Sequence, residues 1–197
     1  MPSGLSPNMS FVAELSGKNC LVIGAGVTGR AVHEALIKFG AISKIFDEKV
    51  TGESDVINES PQDIELAVVS PGWKIDHPVI LKLKSAGVEV IGEIDFAWKI
   101  KQVLAPNQKW IALTGTNGKT TTIKMVESIF KAAKVNGVAC GNIGQTVIAS
   151  VCSDKPFEYL ATELSSFQIQ WSDLGSFGSS ALSAMATMVT AYAILTK

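Results

Sequence analysis

Cysteine is scarce in this chain: Cys20, Cys140 and Cys152 are the only three in 197 residues. They are too few and too scattered for a disulfide framework, and no CxxC pair is present to hold a structural zinc. That usage fits free thiols in a reducing compartment. Histidine is scarcer still, with only His33 and His77. Neither has a metal-ligand partner at useful spacing; His33 reads as a helix-surface residue and His77 as a helix start before Pro78. An excess of either charge is missing too. Seventeen Lys and Arg against eighteen Asp and Glu leave a formal net charge of −1, which excludes a general attraction to nucleic acid or an anionic membrane. Met1 to Ser10 contain no basic segment followed by an apolar core, so no signal peptide is expected and a cytoplasmic location is. What the chain does have is apolar content, 47% by residue with a mean hydropathy of +0.28. That is enough for a folded core and too much for disorder.

The apolar residues fall into an alternating pattern. Cys20-Leu21-Val22-Ile23 reads as a buried strand ended by glycines, and Thr28 to Phe39 has helical spacing with Gly40 as its stop. Ser43 to Phe46, Leu66 to Val69 and Val88 to Ile91 read as further strands, with a helix from His77 to Ala86 closed by Gly87. A helical stretch from Ile94 to Val103 then leads into Ala105-Pro106-Asn107-Gln108, a linker by composition. The pattern restarts at the strand Trp110 to Leu113, followed by a glycine loop and a helix from Lys119 to about Lys134. Strands are expected near Val138 to Cys140 and Tyr159 to Thr162. The sequence thus predicts an α/β protein: a Rossmann-like parallel-sheet domain over residues 1–105, then part of an α/β domain of the P-loop ATPase type over 106–197. Trp98, Trp110 and Trp171 read as packing groups. No internal repeat is visible.

Three motifs carry chemistry. Gly24-Ala25-Gly26-Val27-Thr28-Gly29 is a full GxGxxG between a strand and a helix. Its glycines allow a tight turn and close approach of phosphate to backbone N–H groups at the helix start. Asp47 ends the next strand, where a ribose-binding acid is often found. On these residues alone, an NAD-type site and a nucleotide-sugar site remain equally open. The second motif, Thr114-Gly115-Thr116-Asn117-Gly118-Lys119-Thr120-Thr121, ends in the Gly-Lys-Thr of a phosphate loop. Lys119 is placed to hold the β/γ-phosphates and the Thr120 hydroxyl to ligate Mg²⁺, which points to ATP. Leu113 stands where the usual spacing has its first glycine. The third motif, Glu163-Leu164-Ser165-Ser166-Phe167-Gln168, puts a carboxylate at a strand end, either to complete a Mg²⁺ site or as a solvated loop residue. Ser70-Pro71-Gly72 and Gly141-Asn142-Ile143-Gly144 read as turns after strands.

Taken together, these residues resemble the Mur ligases of peptidoglycan precursor synthesis. The phosphate loop Gly115 to Thr120 is similar to the family's compressed form. Ser70-Pro71-Gly72, Gly141 to Gly144 and Glu163 to Gln168 are similar to the branch that adds D-glutamate. The likeness runs from about Gly17 to Asp173. It implies a cytoplasmic, monomeric, ATP- and Mg²⁺-dependent ligase acting on UDP-N-acetylmuramoyl-L-alanine and D-glutamate through an acyl phosphate. It assigns the first glycine turn to the UDP-sugar: Gly24, Gly26, Val27, Thr28, Gly29, Asp47, Glu48, Lys49 and Gly72 fall on or beside the uracil and diphosphate positions. Gly115 to Thr121 fall on ATP, and Lys119 and Glu163 on the reacting centre. Thr120 and Glu163 fall on the metal, and Asn142 and Ser165 near the muramoyl-alanine part. A non-catalytic nucleotide-binding fragment and an NAD-dependent oxidoreductase are the alternatives.

The stretch from Leu174 to Thr196 departs from the family. It has no charged residue, is rich in Ser, Ala, Gly, Met and Thr, and lacks the Asp-His segment and later lysine the resemblance calls for. Its length permits a membrane span, but its hydroxyl and glycine content make it a poor one. It reads as a poorly ordered terminus or an unpartnered helix, the product of a shifted reading frame or a misplaced end. A second sheet lacking strands, with an exposed edge, and a chain unable to ligate D-glutamate by itself are therefore expected.

Overall fold

Unbroken apolar runs belong to strands covered on both faces, and two such runs form the centre of the first sheet. The computed structural model describes residues 7–59, 61–173 and 194–195. After a first helix α1 (Pro7–Leu15), strand β1 (Asn19–Ile23) leads through α2 (Val27–Lys38) to β2 (Ile42–Phe46) and the short β3 (Val56–Ile57). The chain then crosses back to β4 (Leu66–Val69), α3 (Pro78–Ser85) and β5 (Glu89–Gly92). The five strands are all parallel and lie in the order β3-β2-β1-β4-β5. Helix α4 (Glu93–Leu104) then enters the second half: β6 (Lys109–Leu113), α5 (Lys119–Ala132), β7 (Gly137–Gly141), α6 (Val147–Val151), β8 (Tyr159–Glu163), α7 (Ser166–Gln170) and β9 (Ile194–Leu195). The second sheet runs β7-β8-β6-β9, with β9 antiparallel to the rest.

Alternation along each strand sorts the core into layers. Cys20, Val22, Ile45, Leu66 and Val68 face the helices between the sheets, where they join Phe96 and Ile100 of α4, Val147 and Ile148 of α6, and Trp110 and Leu160 of the second sheet. Their neighbours Leu21, Ile23, Phe46, Ala67 and Val69 face outward onto Val79, Ile80 and Leu83 of α3. On the far side, Leu113 and Ala161 pack on Ile123 and Phe130 of α5. The tryptophans expected to pack do so: Trp98 and Trp110 meet edge to face at 5.2 Å and are buried, as is Trp171.

The structure corrects several expectations. His33 is not a plain surface residue; it is half-buried, and its Nδ1 lies 2.9 Å from the Ser43 hydroxyl. Helices α1, α6 and α7 and strand β3 are additions to the elements expected from the sequence. Most of the uncharged tail lies outside the described residues, but Ile194–Leu195 pairs with Ile111 and Ala112, so that edge of the second sheet is partly covered. All three cysteines are free, and burial pushes each thiol up to about 11. No helix among the described residues is long and apolar enough to cross a membrane.

One buried charge sits where the halves meet. Glu93 opens α4 and is 3% exposed, and neither carboxylate oxygen has a hydrogen-bond partner. Desolvation raises its pKa from 4.5 to about 7. The folded chain therefore holds this proton over a range in which the unfolded chain has released it. Stability contributed by the neutral acid is present below pH 4.5, falls as pH rises towards 7, and is lost above that. Glu93→Gln, which cannot ionise, is expected to unfold at a higher temperature than the parent at pH 8. The gain is roughly 3 kcal/mol, and the difference should shrink to about a quarter of that at pH 5, as scanning calorimetry at both values would show.

Candidate functional site

In a doubly wound sheet, ligands bind beyond the carboxyl ends of the strands where the winding reverses. Here the reversal falls between β1 and β4, and the loops leaving those two strands are Gly24 to Gly29 and Ser70 to Trp73. They are fitted to each other. Gly24 has φ +106°, and a Cβ there would lie 2.7 Å from Trp73 Nε1. A Cβ on Gly29 would lie 1.8 Å from the Gly24 carbonyl oxygen and 2.8 Å from Ser70 Oγ. Gly26 differs from both: nothing lies within 4 Å of where its Cβ would be. It is the N-cap of α2 without a side-chain cap, so the open space lies in front of unpaired helix N–H groups.

The turn is held from the side by Asp47, whose Oδ2 accepts from Ala25 N at 2.9 Å and Oδ1 from Lys49 N at 2.9 Å. Both carboxylate oxygens thus serve the backbone, a part that the sequence alone does not assign to this residue. Val27, Glu48 and Lys49 are exposed around the turn, Thr28 is half-buried, and Gly72 is exposed beyond β4. Sequence reasoning misses Trp73. It stands edge-on to His77 at 4.7 Å and near Phe46 at 5.8 Å, while His77 caps α3 through Val79 N and faces Glu48 at 3.5 Å. Its position straight after Ser70-Pro71-Gly72 is the only sequence signal for that place.

The second cluster is assembled by strand register. Leu113 of β6, Glu163 of β8 and Gly141 of β7 stand side by side at the carboxyl ends of their strands. Three groups therefore converge at these ends: the phosphate loop after Leu113, Asn142 after Gly141, and the Glu163 carboxylate itself. Thr120 Oγ1 donates to Glu163 Oε2 at 2.9 Å, and Asn142 Nδ2 to Glu163 Oε1 at 3.2 Å. Glu163 is 2% exposed. Gly118 takes φ +77° at the start of α5, a conformation that favours glycine and turns the loop onto the helix axis. Lys119 donates to the Gly115 carbonyl, which draws its ammonium into the loop. Gly115 is half-buried, and Thr116, Asn117 and Thr121 are exposed.

Ser165 takes part through backbone geometry. Its hydroxyl accepts from Gln168 N at 3.2 Å, while its own N–H donates to Gln168 Oε1 at 2.8 Å. This is a capping box at the start of α7. The Ser-x-x-Gln spacing is a readable signal for it, and it fixes the turn leading out of Glu163. A buried carboxylate beside a hydroxyl is a hard-oxygen pair that suits Mg²⁺, an ion that usually takes one or two carboxylates and completes its shell from phosphate and water. No cluster of three or more His, Cys, Asp or Glu is present among the described residues, so a cation here would depend on such outside oxygens.

Residues 113–191 match the Mur ligase middle domain, a stretch that runs past Asp173 into the uncharged tail. The chain is 39% identical to a UDP-N-acetylmuramoylalanine–D-glutamate ligase of Thermobifida fusca, covering 81% of this chain and 37% of that protein. A ligase of the same name from Nocardia farcinica is 37% identical, covering 80% and 36%. Among solved structures, the UDP-N-acetylmuramate:L-alanyl-γ-D-glutamyl-meso-diaminopimelate ligase of Neisseria meningitides has 18% identity and a TM-score of 0.47, covering 75% of this chain and 52% of that one. The chain spans a little over a third of the length of the curated relatives it matches. By these sequence matches the chain is similar to Mur ligases, over residues 113–191 to their middle domain and over about four fifths of its length to the two ligases.

Proposed function

We propose that this chain supplies the nucleotide-sugar site and the ATP site of an ATP-dependent acid–D-amino-acid ligase that adds D-glutamate to UDP-N-acetylmuramoyl-L-alanine. The observation that carries this reading is the register of β6, β8 and β7, which brings phosphate loop, Glu163 and Asn142 to one point. The names of the curated relatives supply the substrates.

In this reading the UDP-sugar diphosphate lies over Gly26 at the start of α2, with Thr28, Glu48, Lys49 and Gly72 around it. ATP phosphates lie in the loop Gly115 to Thr121, where backbone N–H groups and the Lys119 ammonium offset their charge. Thr120 and Glu163 hold Mg²⁺, which when bound neutralises charge between two anionic reactants. Asn142 orients the Glu163 carboxylate from its other oxygen, and the capping box of Ser165 keeps that strand end in place. The residues thus position a substrate carboxylate for transfer of the γ-phosphoryl group, and the resulting acyl phosphate is the species the D-glutamate amine attacks. Engagement of Asp47 by Ala25 N and Lys49 N weighs against an NAD site, since that acid would otherwise be the ribose acceptor.

Calorimetric titration of the purified chain with UDP-N-acetylmuramoyl-L-alanine, with ATP in the presence and absence of Mg²⁺, and with NAD tests the proposal. Both ligands of the ligase reaction should bind and NAD should not. Thr120→Ala should keep ATP binding while reducing its Mg²⁺ dependence by about tenfold, the scale of one lost ligand-region hydrogen bond. Preference for NAD over the UDP compound would sink the ligase reading.

A further inference from the structure

The outer core layer of the first sheet is completed from the second half of the chain. Trp171, the C-cap of α7, is 9% exposed and joins the cluster of Leu21, Ile23 and Val69 of that sheet with Val79 and Ile80 of α3. Its backbone lies on Gly92, where a Cβ would be 2.5 Å from the Trp171 carbonyl oxygen and 2.7 Å from the Trp171 Cβ. The Lys84 ammonium stands 5.4 Å from the centre of its ring.

Packing alone does not account for the polar end of this side chain. Trp171 Nε1 donates to the Trp73 carbonyl at 2.9 Å, a bond between residues 98 apart in the chain. A buried indole N–H needs an acceptor, and the one it finds belongs to the loop fitted against the glycine turn. Trp73 follows directly on Gly72, which takes φ +101°. The Trp73 side chain meets the turn itself. A Cβ on Gly24 would lie 2.7 Å from its Nε1, and its ring packs near Phe46 and His77. One residue thus carries a carbonyl tied to α7 and an indole set against the first glycine of the turn.

Resting on the reading of the Gly24 to Gly29 turn as the nucleotide-sugar site, we infer that Trp171 is a positioning residue for that site. Its indole N–H fixes the Trp73 backbone, and the Trp73 ring holds Gly24 at its φ of +106°. This adds a second support to the one that Asp47 gives through Ala25 N. The site is therefore not complete in residues 1–105, because part of its support comes from beyond the linker.

Nuclear magnetic resonance of the labelled full chain without ligand tests this. Gly24 lies against an aromatic ring, so its signals carry a ring-current shift that Trp73→Leu removes. Trp171→Phe keeps an apolar ring in the core and has no donor. Its Gly24 signals should move towards their Trp73→Leu positions. The Kd for UDP-N-acetylmuramoyl-L-alanine should rise about tenfold in Trp171→Phe, the scale of one lost hydrogen bond, with the affinity for ATP unchanged. Gly24 signals that stay at the parent's positions overturn the inference, as does an unchanged Kd. An equal loss of both affinities marks general loosening and overturns it too. If Trp171→Phe does not fold, hydrogen exchange of the Trp171 indole N–H in the parent decides. Strong protection is expected, and exchange at the rate of an unbonded indole overturns the inference. A parent chain that binds no UDP compound removes the nucleotide-sugar reading, while the Gly24 signals still judge whether Trp171 positions Trp73.

Discussion

Lys119→Ala should weaken ATP binding by about thirtyfold, and the loss should appear with and without Mg²⁺. The ammonium is drawn into the loop by the Gly115 carbonyl, and half-burial of Lys119 limits how far water can replace it. A hydrogen bond to a charged group contributes roughly 2 kcal/mol, which is about thirtyfold in Kd. The fold should be untouched, because the side chain leaves no core position and alanine suits the first turn of α5. Thr120→Ala separates the two functions of the loop, since its loss concerns the cation and not the phosphate. Calorimetric titration of both variants against ATP, with and without Mg²⁺, is the check. Unchanged affinity in Lys119→Ala would reduce this loop to a turn.

The second large effect is on stability and comes from the smallest change. Gly29→Ala places a methyl group 1.8 Å from the Gly24 carbonyl oxygen, and that neighbour is backbone. No side chain can swing aside, so strand end and helix start must part. Overpacking of this kind costs about 3 kcal/mol, a large share of the roughly 5–15 kcal/mol that holds a domain together. Gly26→Val meets open space at a φ of −71° and should leave the urea midpoint nearly where it was. It should instead abolish binding of UDP-N-acetylmuramoyl-L-alanine, because the side chain occupies the room over the helix start. Two glycines of one motif thus answer to different measurements. A folded Gly26→Val that still binds the UDP compound would mean that the diphosphate lies elsewhere.

How much of this is legible in the sequence differs from element to element. The runs Cys20 to Ile23 and Leu66 to Val69 announce buried parallel strands because both faces need apolar cover. Helix α2 shows its inner stripe, with Val32, Ala35 and Leu36 buried. Helix α1 is hidden, since it is short, has no acidic first turn, and rests on tertiary packing such as Phe11 against Phe96 at 6.1 Å. Strand β3 exists only by pairing with β2, which no local pattern encodes. The phosphate loop is readable because its residues are contiguous. The meeting of Thr120 with Glu163 is not, since they lie 43 residues apart and come together through the register of β6 and β8. Asp47 shows the opposite case: its place is right for a ribose acid, and only the geometry shows it holding the turn.

The layer of helices between the sheets limits how such a chain can be recombined. By composition, the natural cut is the linker Ala105 to Gln108. By packing, Phe96 and Ile100 before that cut and Val147, Ile148 and Leu160 after it belong to a single cluster. A graft that took residues up to the linker from one relative and the rest from another would bring together two faces shaped for different partners. A workable exchange has to carry α4 and α6 from the same parent, although they lie on opposite sides of the linker.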